Sequence, residues 1–226
     1  MSRARETKDK LYAQFARLGH ALSSPKRLEL LDLLCQSEKT VETLAEQSSM
    51  SVANTSRHLQ VLRAARLVEG RKDGVFVHYH LTDTDVCKVF VSLRNLADNH
   101  MAEIDRIVAD FFDTPARLQP IDRRRLLQRA RAGEVVILDV RPEDEYNAAH
   151  LPYAVSMPLA QLRKRLKEFS PGKEIVAYCR GPYCVLAQEA ISLLRSKGLT
   201  AKRLEDGVTE WRQAGMPVST EQMKHE

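Results

Sequence analysis

The sequence predicts two domains, a mainly α first half and an α/β second half built on a parallel sheet, and three observations predict it. Between residues 28 and 81, helix-period segments on either side of a Ser-rich turn precede a strand, an Asp-Gly pair and a second strand. Two prolines, Pro115 and Pro120, then end the helical periodicity. Beyond them, short apolar runs alternate with helix-period segments as far as Trp211, the pattern of a parallel sheet covered on both faces. A chain of 226 residues is long enough for two cores of ordinary size.

In the first half, Leu28, Leu30, Leu31, Leu33 and Leu34 recur at helical spacing. A short helix is expected over Val41–Gln47, capped by Thr40, and after the turn Ser48-Ser49-Met50-Ser51 a longer one over Val52–Leu67, capped by Ser51. That is a helix-turn-helix. Asp73-Gly74 between two strand-like runs, with Arg71 and Lys72 at the tip, adds a hairpin that serves as a wing. The second helix is expected to turn Val52, Leu59 and Leu62 inward. Ser51, Asn54, Thr55, Ser56, Arg57 and His58 are expected toward its outer, N-terminal side, the part of such a helix that enters the major groove of double-stranded DNA. Arg71 and Lys72 would reach phosphates or the minor groove. A surface or packing histidine is the alternative for His58. Positive charge is focused here: Arg57, Arg63, Arg66, Arg71 and Lys72 stand against Glu69 and Asp73 over residues 51–80. Val86, Val89, Phe90, Leu93, Leu96, Ala97, Met101, Ile104, Val108 and Phe111 form a stripe too apolar for one small domain to hide, read as a dimerisation helix over 86–112.

In the second half the expected order is a helix over 122–132, a strand over 135–140, a short helix around 143–147, an extended 154–156, a helix over 160–168, a strand over 175–178, a helix over 185–197, a strand over 201–204 and a last helix through Trp211. Cys179-Arg180-Gly181-Pro182-Tyr183-Cys184 joins a strand to a helix, so the Cys179 thiol sits at a helix N-terminus, where backbone N–H groups and Arg180 favour a thiolate or an anionic substrate. Cys179 is the candidate nucleophile, with Arg180, Gly181, Pro182, Tyr183 and Val185 around the bound atom. Cys184 is either a redox partner or a wall of the pocket.

Composition, 43% hydrophobic and 29% charged, is that of a globular chain without a membrane span. The charged N-terminus has no apolar stretch of signal-peptide type behind it, so the cytoplasm is the expected compartment. There the close pair of cysteines reads as catalytic or redox-active. Cys35 and Cys87 read as core residues of apolar helix faces. A metal site at Cys87, His100 and Glu103 on the dimer helix is the weaker alternative, since zinc usually takes four good ligands. The reading therefore includes no metal and no cofactor.

Two family resemblances follow. Ala21-Leu22-Ser23-Ser24-Pro25-Lys26-Arg27-Leu28, with Ser56-Arg57-His58-Leu59-Gln60-Val61-Leu62-Arg63 and Leu67-Val68, resembles the ArsR/SmtB winged-helix repressors over residues 15–112. The resemblance implies a homodimer that leaves its operator when an inducer is sensed. The paired-cysteine metal box of arsenic and cadmium sensors has no counterpart here. Residues 121–218 resemble the rhodanese family through Leu138-Asp139-Val140-Arg141, Glu145-Tyr146, His150-Leu151-Pro152, Tyr178-Cys179-Arg180, Leu204, Gly207, Trp211, Gly215 and Pro217. Ala149, Tyr153 and Asp206 stand where glycines are usual, of which Asp tolerates a left-handed backbone best.

The six-residue loop is similar to that of sulfurtransferases. It implies a Cys179 persulfide drawn from a sulfane-sulfur donor such as thiosulfate or polysulfide, with Cys184 able to resolve it as a Cys179–Cys184 disulfide. The whole is then a mainly α winged helix-turn-helix over 1–114, a linker over 115–120 and an α/β rhodanese-like domain over 121–226. Its expected role is a transcriptional repressor that senses or transfers sulfane sulfur. A sulfurtransferase with an appended autoregulatory DNA-binding domain and a metal- or arsenic-responsive repressor are the alternatives.

Overall fold

The computed structural model of the chain describes residues 2–112, 121–169 and 172–220. The expected linker, residues 113–114 before it and the side chain of Phe111 lie outside the described residues. Those described form two compact units that divide between Ser92 and Leu93.

The first unit opens with a helix the sequence reading did not anticipate, α1 (Arg3–Leu22), capped by the Ser2 side chain. It buries Ala21 and leaves Leu11, Tyr12, Phe15 and Leu18 exposed. The Arg27 guanidinium donates to the carbonyls of Ala21 and His20, satisfying acceptors that a helix end otherwise leaves open. Pro25 begins α2 (Pro25–Leu34) at a position where no N–H is needed. Thr40 and Ser51 cap α3 (Val41–Gln47) and α4 (Val52–Ala64) as expected, each accepting from a backbone N–H three residues on.

Helix α4 stops at Ala64, short of the expected Leu67, because Arg66 takes φ 59° and turns the chain into the wing. Strands β2 (Val68–Asp73) and β3 (Phe76–Leu81) pair antiparallel. Gly74, φ 59°, and Val75 make the two-residue loop, with the glycine at the first position where positive φ is required. A two-residue strand, β1 (Lys39–Thr40), adds to β3 and was not expected. The core gathers Leu30, Leu31, Leu33 and Leu34 of α2, Leu44 of α3, Leu59 and Leu62 of α4, and Tyr79.

The apolar stripe is not one helix but two, α5 (Thr84–His100) and α6 (Ala102–Phe112). They meet at Met101, whose N–H still bonds Ala97 while its carbonyl takes the Ile104 N–H, so one residue closes the first helix and opens the second. Val86 and Val91 are buried, while Val89, Leu93, Leu96 and Met101 are exposed. The division between the two compact units falls inside α5.

In the second unit the alternation holds throughout: α7 (Arg123–Arg131), β4 (Val135–Asp139), α8 (Glu143–Ala148), β5 (Ala154–Ser156), α9 (Leu159–Arg165) with a 3-10 turn to Glu168, β6 (Glu174–Tyr178), α10 (Val185–Ser196), β7 (Ala201–Arg203) and α11 (Val208–Gln213). The sheet is parallel in the order β5-β4-β6-β7. Successive strand residues point to opposite faces. Leu138, Ile175 and Ala177 therefore pack with α9 and α10, and Ile137, Val176 and Tyr178 with α7 and α11. Burial on both faces is why these strands read as unbroken apolar runs.

Of the three residues standing where glycines were expected, Tyr153 takes the left-handed backbone, φ 65°. Ala149 is extended, and Asp206 instead accepts a two-point pair from Arg123 at 2.6 and 2.9 Å.

Candidate functional site

Cys179 sits at the carboxyl end of inner strand β6 and is 1% exposed. Open α/β sheets place their sites at such an end. Residues 180–184 turn from there into α10: the Cys184 N–H bonds the Gly181 carbonyl at 3.2 Å, and Cys184 is the N-cap of the helix. Cys179 and Cys184 are disulfide-bonded across the loop with their Cα atoms 6.1 Å apart, a separation native disulfides accept. The six-residue spacing thus brings the two sulfurs together, and Cys184 is a bonding partner rather than a bystander in the wall.

Arg180 differs from expectation. Its guanidinium is spread over Glu145 of α8, with contacts of 2.7 to 3.1 Å, and Glu145 is fully buried. The charge meant for an anionic substrate therefore answers a carboxylate below the loop. That leaves the backbone N–H groups and the α10 N-terminus to face an anion.

Beneath the loop lies a buried polar frame. Asp139 and Arg141, both fully buried, are joined by three contacts from the guanidinium, and Arg141 also donates to the Ala149 carbonyl at 2.7 Å. Burial alone would lower the Arg141 pKa, but the hydrogen bonds and charge of Asp139 prevail and hold it above its ordinary value. The Tyr178 hydroxyl donates to Asp139 and accepts the Leu151 N–H. Burial, then the Asp139 charge, pushes its pKa well up, so it stays a donor. From a third side, buried Arg203 donates to the Pro182 carbonyl at 2.9 Å. Tyr183 donates its hydroxyl to Asp98, within the same compact unit, and burial followed by that bond raises its pKa.

On the first unit, Ser51, Asn54, Arg57, Arg71 and Lys72 are exposed as expected, and Ser56 and His58 are half-buried. Two expectations are corrected. Thr55 is buried, its hydroxyl donating to the Ser51 carbonyl, because it lies four residues before Leu59 on the same inward stripe. Val52, expected inward, is exposed in the first turn, before α4 meets the core. Arg71 is held by Glu38 at 2.7 Å and Asp73 at 3.4 Å, so its reach to a phosphate requires leaving Glu38.

Cys35 and Cys87 are not isolated core residues. They are disulfide-bonded between the end of α2 and the first turn of α5, with Cα atoms 5.6 Å apart. Cys87 is thereby taken from the weaker metal site with His100 and Glu103. Among the described residues no three His, Cys, Asp or Glu side chains converge as metal ligands, and no helix is long and apolar enough to cross a membrane.

Residues 24–70 match the family described as bacterial regulatory protein, arsR family, and residues 122–214 match the rhodanese-like domain. The HTH-type transcriptional regulator Rv0324 of Mycobacterium tuberculosis is 43% identical over 213 residues, covering 94% of this chain and 93% of that protein. The chain belongs to the arsR family of regulators and carries a rhodanese-like domain. This regulator is also 36% identical to the nodulation protein NolR of Rhizobium meliloti over 76 residues, 34% of this chain and 62% of that one. A solution structure titled as the homodimeric winged helix-turn-helix DNA-binding domain of Mb0332 from Mycobacterium bovis aligns with a TM-score of 0.40 at 38% identity, covering 42% of this chain and 87% of that chain.

The regulator's rhodanese-like residues can now be given physical roles, which the sequence showed only as a pattern. Asp139, Arg141, Glu145 and Tyr178 frame the loop, and Trp211 anchors α11 by donating to the Pro217 carbonyl at 2.9 Å. Arg203 was missed, since a lone arginine at a strand end carries no signal in sequence. Gly207 is required by close approach: a Cβ there would stand 2.2 Å from the Arg180 carbonyl oxygen and 2.8 Å from that of Cys179. Both are backbone atoms at the root of the loop. Gly207→Ala is expected to cost the second unit about 1–3 kcal/mol. A urea titration followed by the fluorescence of the single, fully buried Trp211 checks this; an unchanged midpoint would mean the loop yields freely.

Proposed function

We propose that this regulator binds operator DNA as a homodimer in the cytoplasm and responds to sulfane sulfur taken up at Cys179. Cys179 at the carboxyl end of β6, with Cys184 within bonding reach across a six-residue turn, is the observation that carries the reading. The Cys179 thiolate attacks the outer sulfur of thiosulfate, sulfite leaves, and a persulfide remains on Cys179. Cys184 then attacks the Cys179 sulfur, hydrosulfide leaves, and the loop disulfide forms. The persulfide's terminal sulfur is reduced and the two thiols are oxidised, so the electrons balance.

A loop that ends bonded to itself suits a switch better than repeated turnover. Operator contact is assigned to Ser51, Asn54, Ser56, Arg57 and His58 of α4 and to Arg71 and Lys72 of the wing. The dimer contact is assigned to the exposed apolar residues of α5, Val89, Leu93 and Leu96.

Intact mass spectrometry after thiosulfate tests the reading. The expected result is one added sulfur or one loop disulfide in the wild type, the sulfur adduct alone in Cys184→Ala, and neither in Cys179→Ser. An adduct that survives Cys179→Ser would place the nucleophile elsewhere. Catalytic release of product with no effect of thiosulfate on operator affinity would favour a sulfurtransferase that governs its own expression.

A further inference from the structure

Residues 93–100 of α5 belong to the second compact unit, and two of them lie against the Cys179 loop. Arg94 and Asp98 stand one helical turn apart, so they share a face of the helix. Asp98 accepts the hydroxyl of Tyr183, the residue before Cys184. Arg94 pairs with Glu210 of α11, the two side chains being only 12% and 14% exposed. Glu210 in turn accepts the Gly207 N–H at 2.7 Å, and Gly207 packs on the Cys179 and Arg180 carbonyls. A Cβ on Gly181 would stand 3.3 Å from the Arg94 guanidinium and 3.4 Å from the Glu210 carboxylate, so this ion pair also lies along the loop backbone. Helix α5 therefore meets the loop at its middle, beside its second sulfur and, through Glu210 and Gly207, at its root. Val89, Leu93 and Leu96 fall on roughly the opposite side of the same helix.

We propose that Arg94 and Asp98 are positioning residues of the sulfur loop, and that α5 through them holds the loop in the closed form in which Cys179 and Cys184 are bonded. The inference rests on the reading of those two cysteines as a redox pair. Opening the bond takes two electrons and two protons from a dithiol, which is itself oxidised to a disulfide, and leaves two thiols on the loop. Cys184 is then untied from Cys179, and Tyr183 beside it is no longer fixed over Asp98. The bond that is loosened is a strong one, since a hydroxyl donated to a carboxylate exceeds a bond between neutral groups. Contacts made by the closed loop and lost by the open one favour the disulfide, and the disulfide favours the ordered end of α5 by the same factor. The helix whose other face carries the assigned dimer contact thus responds to the state of the loop.

The test equilibrates the full chain in buffers of reduced and oxidised dithiothreitol at graded ratios, and reads each bridge by alkylation and peptide mapping. The variants are Tyr183→Phe, which removes one hydroxyl from an exposed ring, Asp98→Ala, and the two combined. Each single variant is expected to make the Cys179–Cys184 bridge at least about five-fold easier to reduce, a rise of about 20 mV for a two-electron couple. The double variant is expected to shift no further than either single one, because both remove the same bond. Hydrogen exchange at amides 93–100 is expected to be faster in the reduced wild type than in the oxidised, and alike in the two states of the double variant. Equilibria unchanged from the wild type would overturn the proposal, as would shifts that simply add in the double variant or exchange at 93–100 that ignores the loop. A parallel shift of the Cys35–Cys87 bridge in the same samples would also overturn it, since the effect would then be general loosening. No sulfur donor enters these measurements, so the shift stands even if Cys179 takes no sulfur from thiosulfate. Normal sulfur uptake at Cys179 with unshifted equilibria would sink the role of α5 alone.

Discussion

Arg141→Ala is expected to destabilise the second unit by about 3–5 kcal/mol, the usual cost of removing one partner from a buried ion pair. Asp139 would be left charged and fully buried, keeping the Tyr178 hydroxyl but losing every guanidinium contact. The Ala149 carbonyl would lose its donor as well. Domains of this kind hold only about 5–15 kcal/mol, so such a loss approaches unfolding. Trp211 fluorescence during thermal melting should report a fall of about 10 °C or more for a unit that runs from Leu93 to Glu226. Adding Asp139→Asn to Arg141→Ala should recover part of the loss, because the orphaned charge is gone. If it recovers none, lost packing rather than an unpaired carboxylate is the cause. The effect on the sulfur loop should follow stability: Tyr178 and the Glu145–Arg180 pair, which join the frame to the loop, both remain in the variant, so Cys179 in the surviving folded fraction should react as in the wild type.

The parts of this fold that the sequence announced are those governed by local rules. Thr40 and Ser51 cap helices because a hydroxyl before an apolar period has little else to do, and the Cys179 loop could be placed because a strand buried on both faces, Ile175–Tyr178, precedes a helix period. What escaped depends on partners distant in sequence or absent from the chain. The apolar face of α1, Leu11, Tyr12, Phe15 and Leu18, is exposed and mixed with charge, so no buried stripe announced a helix. The break at Met101 has neither proline nor glycine to mark it.

Arg180 looked like a substrate ligand because Glu145, its partner, is 35 residues away. Cys35 and Cys87 looked solitary for the same reason, at 52 residues. Thr55 was misread on polarity, although its position places it on the stripe with Leu59 and its own hydroxyl finds the Ser51 carbonyl one turn back.

That last distinction separates two kinds of α4 variant. Arg57→Ala combined with His58→Ala should abolish footprinting on the regulator's own promoter, since a bidentate arginine contact to guanine alone is worth about 1–3 kcal/mol of discrimination. Arg57 is exposed near the N-terminal end of α4, free to meet a base edge. Thr55→Ala should behave differently, lowering the stability of the first unit by about 1 kcal/mol while leaving the protected sequence unchanged, because its side chain points into the core. Sedimentation should give the same oligomer for all three proteins, which removes dimer loss as an explanation.

Salt completes the argument. If Arg71 and Lys72 meet phosphates, the logarithm of affinity should fall linearly with the logarithm of salt concentration, with a slope near −0.9 for each phosphate neutralised. Lys72→Ala should reduce that slope by about one. Arg71→Ala should reduce it by less, because Glu38 already holds that guanidinium in the free protein and must be left bare when it departs. Equal slopes for the wild type and Lys72→Ala would remove the wing from the DNA contact.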